Sequence, residues 1–146
     1  MRDVLLVLTV SHHVPEQYDH CVMVPFGSRR LPVCGRCLGI YPLALVLLLL
    51  QITGRLDLAF TDPWLVLLLP LPAVVEFVGE QLGRWHGSNA ARILTGLPLG
   101  IALSRMFVRY LLHPSDPLFW GIVAGYGGVC GLTAAFALRR RFGRGS

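Results

Sequence analysis

Residues 34–55 read Cys-Gly-Arg-Cys-Leu-Gly-Ile-Tyr-Pro-Leu-Ala-Leu-Val-Leu-Leu-Leu-Leu-Gln-Ile-Thr-Gly-Arg. Eighteen uncharged residues separate Arg36 from Arg55, and at ~1.5 Å of rise per residue a helix of that length nearly crosses a ~30 Å hydrocarbon core. The stretch predicts a transmembrane helix over about 38–54. The rest of the chain fits that reading. Of 146 residues, 54% are hydrophobic and only 14% charged, the mean hydropathy is +0.62, and a soluble chain carries about 25% charged residues. There is too little polar surface here to hold the apolar residues in water. The fold class expected is an all-α integral membrane protein, one domain across 1–146.

Three further spans follow. After the turn-like residues 54–57 and 61–63, a second apolar run covers about 64–82, with Glu76 and Glu80 in its last third. A third covers about 92–112, although only 12 uncharged residues precede Arg105, so Arg105 and Arg109 must snorkel towards the headgroups. The fourth, about 118–138, is uncharged throughout and ends in a basic tail, 139–146. Trp64, Trp85, Tyr110 and Trp120 fall near the expected ends, where interfacial aromatics belong. Val4–Val10 is too short to cross and leads into Ser11-His12-His13 rather than a small-residue cleavage site, so it reads as neither span nor signal peptide.

All 13 basic residues are arginine, against 8 acidic ones. With four spans both termini lie on one side, which carries Arg2, Arg29, Arg30, Arg36, Arg84, Arg92, Arg139, Arg140, Arg141 and Arg144, against Arg55, Arg105 and Arg109 on the other. That bias predicts cytoplasmic termini in the plasma membrane, with the lipid bilayer as the partner of the basic residues and no nucleic acid. Gly79/Gly83, Gly96/Gly100, Gly121/Gly125 and Gly127/Gly131 are small-xxx-small pairs, which predict close helix packing within the chain or a homo-oligomer. Pro42, Pro70, Pro72 and Pro98 predict kinks or helix starts.

Residues 1–37 form an N-terminal segment with a Cys/His loop, expected on the cytoplasmic face. Its core is Cys34-Gly35-Arg36-Cys37, and six Cys or His residues fall between 12 and 37. Two thiolates with two residues between them can reach one metal ion, and two more ligands from His12, His13, His20 and Cys21 would complete a tetrahedral zinc site. A reducing compartment favours a metal or a redox dithiol over a structural disulfide, and Arg36 favours thiolate. Against both stands the plain reading of two small apolar residues at the mouth of a span. Cys130, alone in the fourth span, reads as a packed thiol.

Glu76 and Glu80, four apart, project from one helix face. Carboxylates this close to hydrocarbon need a partner or a purpose. One reading is structural, with Ser88 or Asn89 capping the third helix and a glutamate paired to Arg92. The other is chemical, with Ser88, Asn89 and Arg92 holding an anion and Glu76 or Glu80 acting as a base. His86, in the same turn, belongs to either; His113, at the other face, reads as interfacial.

The blocks His13-x-x-Pro15-Glu16, Leu31-Pro32-Val33-Cys34-Gly35-Arg36-Cys37-Leu38-Gly39-Ile40-Tyr41 and Ser88-Asn89-x-x-Arg92-x-x-Thr95-Gly96 resemble the domain of unknown function 2085 family, small prokaryotic membrane proteins. The family pattern has Cys-His where this chain has His12-His13, and Asp where it has Glu76. The resemblance implies His12, His13, Cys34 and Cys37 as the ligand set, with His20 and Cys21 as alternates, and it implies no activity. The function expected is a structural or accessory zinc site in a membrane protein. The alternatives are a metal-dependent membrane enzyme acting on a lipid-linked phosphate or similar amphiphile, and a thiol-redox or transport protein.

Overall fold

A computed structural model describes residues 20–27, 29–55 and 63–142. Val4–Val10, His12, His13 and the last four residues of the tail lie outside them. The described part opens with β1 (Cys21–Phe26) and β2 (Arg29–Cys34), an antiparallel hairpin with Cys21 opposite Cys34 and Phe26 opposite Arg29. The stretch before the first span is therefore partly a hairpin and not wholly a loop. Its cause is local: β-branched and apolar residues flank Gly27-Ser28, and Gly27 takes φ +62°, a value glycine adopts without steric cost.

The register also explains two prolines. In a two-residue hairpin the closing pair, here Phe26 and Arg29, is hydrogen-bonded, and pairs alternate from there. Pro25↔Arg30, Met23↔Pro32 and Cys21↔Cys34 are then the non-hydrogen-bonded pairs. Neither proline lacks an amide that the ladder needs.

Five helices follow: α1 (Gly35–Ile52), α2 (Pro63–Leu68), α3 (Leu71–Gln81), α4 (Asn89–Leu112) and α5 (Pro117–Phe142). Among the described residues, four segments are long and apolar enough to cross a membrane: Gly35–Ile52, Pro63–Gln81, Asn89–Leu112 and Pro117–Arg140. The second is α2 and α3 in series. It breaks where Pro70 offers no amide to the Val66 carbonyl, and near the break the Tyr126 hydroxyl donates to the Leu67 carbonyl. Pro42 and Pro98 stand inside continuous helices. The first and third spans begin three residues earlier than expected, because α1 starts directly off β2 and Ser88 caps α4 by accepting from the Ala91 amide at 3.1 Å.

The bundle is centred on α1 against α4. A Cβ on Gly39 would lie 2.3 Å from the Ile93 carbonyl oxygen, one on Gly96 2.9 Å from that of Arg36, and one on Gly100 2.7 Å from that of Ile40. Backbone meets backbone at this crossing, as small residues allow. Lower down the same pair of helices, Gln51 Nε2 donates to Ser104 Oγ at 3.4 Å. Val66, Met106 and Ile122 form a small core joining α2, α4 and α5. By contrast, Gly121, Gly125, Gly127, Gly128 and Gly131 on α5 have nothing among the described residues within 4 Å of an added Cβ.

Candidate functional site

The hairpin, the heads of α1 and α4 and the tail of α3 meet at one end of the bundle. Cys34 ends β2 and stands at the N-cap of α1, which places Cys37 in the first helical turn. The Cys34 and Cys37 side chains are in hydrogen-bonding contact, and Cys21 lies close enough to act on Cys37 electrostatically. Cys21 and Cys34 are 7% and 5% exposed, whereas Cys37 is only half-buried. The contact with Cys34 and burial dominate the surroundings of Cys37 and outweigh the positive potential of Arg36, which the sequence reading took to favour thiolate. Among the described residues, no three His, Cys, Asp or Glu side chains are placed to hold a metal ion.

Beside the thiols lies a four-charge cluster. Arg92, 4% exposed, donates from Nε and Nη2 to Glu80 Oε1 at 3.0 and 2.7 Å, and from Nη1 to Asn89 Oδ1 at 3.2 Å. Arg36 Nη2 reaches Glu76 Oε2 at 3.4 Å and Glu80 Oε2 at 3.3 Å, with its guanidinium 5.8 Å from the centroid of the Phe77 ring. Thr95 Oγ1 donates to Glu76 Oε2 at 2.5 Å. Two arginines balance two glutamates, and the N-termini of α1 and α4 add their dipoles to the carboxylates' support. Among the described residues, Glu76 Oε1 and Arg36 Nε are buried without a hydrogen-bond partner.

Two details lock the cluster to its surroundings. A Cβ on Gly87 would lie 2.1 Å from Glu80 Oε1 and 3.0 Å from Glu76 Oε1, so a side chain there would push the carboxylate ends out of their present positions. Asn89 Nδ2 donates to the Cys21 carbonyl at 3.2 Å, which ties the hairpin to the head of α4.

Residues 16–106, more than half the chain, match the model of a family described as predicted membrane protein, DUF2085. The chain belongs to this family. An uncharacterised protein of Methanothermobacter thermautotrophicus is 30% identical to it over 104 residues, which cover 71% of this chain and 88% of that protein. No solved structure matches. The matched region takes in the hairpin, α1 and the whole charged cluster, so the features described above are the family's portion of the molecule. All of α5 lies beyond it.

The structure brings together Cys34, Cys37 and Cys21 from the sequence-derived ligand candidates, with His20 at the start of the hairpin; His12 and His13 lie outside the described residues. It brings Glu76, Glu80, Asn89 and Arg92 into one network, while Ser88 caps α4. His86 and His113 are exposed, and Cys130 is half-buried on α5. Sequence reasoning missed Arg36 as the second counter-charge and Gly87 as the residue that makes room. A signal existed for Arg36: two carboxylates near hydrocarbon require two cations, and Arg92 supplies only one.

Proposed function

We propose that this membrane protein holds one divalent metal ion, zinc by donor chemistry, at the end of the bundle where the hairpin meets α1. Cys34 and Cys37 supply two thiolates, and His12 and His13 of the preceding segment supply the other ligands. The observation that carries this reading is the contact between the Cys34 and Cys37 side chains at a helix N-terminus. Tetrahedral zinc with ~2.3 Å bonds needs two sulfurs about 3.8 Å apart. Bound there, zinc would order the N-terminal segment against the bundle, and the free energy of binding would become folding free energy. The role is structural or accessory, on the cytoplasmic face if the arginine bias sets the orientation. The bilayer surrounds the bundle, and the open glycines of α5 leave a second copy of the chain as the partner to seek by crosslinking.

Metal analysis by mass spectrometry of detergent-purified protein tests the site. About one zinc per chain is expected for the wild type, and none for the Cys34→Ser, Cys37→Ser double variant. Wild-type protein that binds no metal when purified under reducing conditions would end the proposal.

The enzyme alternative has one observation in its favour, the unpartnered Glu76 Oε1. It also needs Arg92 to hold an anion, which must displace Glu80 from two hydrogen bonds. Turnover of a lipid-linked phosphate that persists unchanged in a folded Glu76→Gln variant would remove the glutamate from that scheme.

A further inference from the structure

Cys21 is the thiol that the zinc reading leaves unused, yet the hairpin register fixes its position opposite Cys34. It faces Cys34 across a non-hydrogen-bonded pair of the hairpin. In such pairs the Cα atoms stand about 4.5 Å apart and the side chains share one face, within the range a disulfide spans. Both side chains are buried, and Asn89 holds the Cys21 backbone in place. Cys37, in contact with Cys34, is the partly exposed member. Cys34 is therefore the middle of a chain of three thiols, with a solvent-side neighbour on the helix and a buried neighbour on the strand.

We propose that these three cysteines form a thiol relay in which an oxidising equivalent arrives at Cys37 and comes to rest as a Cys21–Cys34 disulfide. The oxidant is a low-molecular-weight disulfide, RSSR. Cys37 thiolate attacks one sulfur of RSSR, forming a mixed disulfide and releasing RS⁻. Cys34 thiolate then attacks the Cys37 sulfur and displaces the second RS⁻. Cys21 thiolate attacks the Cys34 sulfur, closing Cys21–Cys34 and returning Cys37 as a thiolate. Overall, two protein thiols are oxidised and RSSR is reduced to two RSH. The crosslink stands on the hairpin register alone. Its consequence, removal of Cys34 from the metal, rests on the zinc reading above.

The test uses full-length protein in detergent, reduced, stripped with a chelator and exposed to glutathione disulfide. Remaining thiols are alkylated, and peptides are mapped after trypsin. Cleavage at arginine places Cys21, Cys34 and Cys37 on separate peptides, residues 3–29, 31–36 and 37–55. The expected product joins 3–29 to 31–36 and leaves Cys37 alkylated. A product that stops at 31–36 joined to 37–55, or at a mixed disulfide on Cys37, overturns the relay. Cys37→Ser, checked for retained helicity, should slow the crosslink by about tenfold or more, because access governs thiol attack. An unchanged rate overturns the order of transfer. Zinc-loaded protein should resist the crosslink; if Cys21–Cys34 forms as fast with zinc as without, the relay is upheld and the metal reading is what fails.

Discussion

The two ends of the bundle differ in how they handle charge. At the hairpin end, Arg36, Glu76, Glu80 and Arg92 are drawn into one network, and Arg92 is almost fully enclosed. At the far end, Arg109 pairs with Asp116 near the surface, and Asp116 also accepts from the Leu118 amide at the start of α5. Tyr110, Phe119 and Trp120 pack beside that pair with ring centroids 5.0 to 6.3 Å apart. The far end needs no more than a helix cap, a surface ion pair and interfacial aromatics. The hairpin end carries buried charge that must be matched group by group, and it carries the thiols as well.

The largest expected effect follows from that contrast. Arg92→Met leaves Glu80 with only the longer contact from Arg36, and breaking a buried pair by removing one partner costs about 3–5 kcal/mol. Unfolding of the variant in mixed detergent micelles, followed by helical circular dichroism, checks it. A loss under about 1 kcal/mol would mean that the network behaves like an exposed salt bridge.

A smaller effect separates the α1–α4 crossing from α5. Gly39→Ala drives a methyl group into the Ile93 carbonyl and is expected to cost about 1–3 kcal/mol. Gly125→Ala meets nothing and should leave stability unchanged or raise it by up to about 1 kcal/mol. The same unfolding assay reads both. Equal losses would show that the α5 glycines are packed after all, against a second copy of the chain.

The smallest effect belongs to the far end. Arg109 holds the Asp116 carboxyl below the usual carboxylate range, with a further contribution from the Leu118 amide. Because the folded value is depressed, the stability that Asp116 adds is present above the ordinary carboxylate value of about 3.9 and is lost as pH falls through the folded value. Asp116→Asn should flatten only that acid branch of the stability profile. A difference from wild type that grows above pH 5 would contradict the assignment.

How much of this was legible beforehand depends on the type of signal. Hydrophobic run length located all four spans, because a bilayer imposes length on any helix that crosses it. Pro70 announced the break in the second span. The hairpin was written in Cys21–Cys34 as two short, largely apolar runs on either side of Gly27-Ser28, but the runs do not alternate with polar residues, and two prolines and a CxxC obscured them. Of the four Gly-xxx-Gly pairs named from the sequence, only Gly96/Gly100 is used at a helix crossing; it meets Gly39, which forms with Gly35 a further pair that the sequence reading passed over. The spacing of Glu76 and Glu80 showed that they share a face. It did not show that Arg36, 40 and 44 positions away, would reach them. Contacts at that separation depend on how α1 meets α3, which no local pattern encodes.

The central claim, that Cys34 and Cys37 hold a metal together with the histidines before the hairpin, is tested most directly by X-ray absorption at the zinc edge of purified protein. The account predicts two sulfur ligands at ~2.3 Å and two nitrogen ligands at ~2.0–2.1 Å. Three sulfurs, which would recruit Cys21, or an edge with no sulfur ligation, would contradict it.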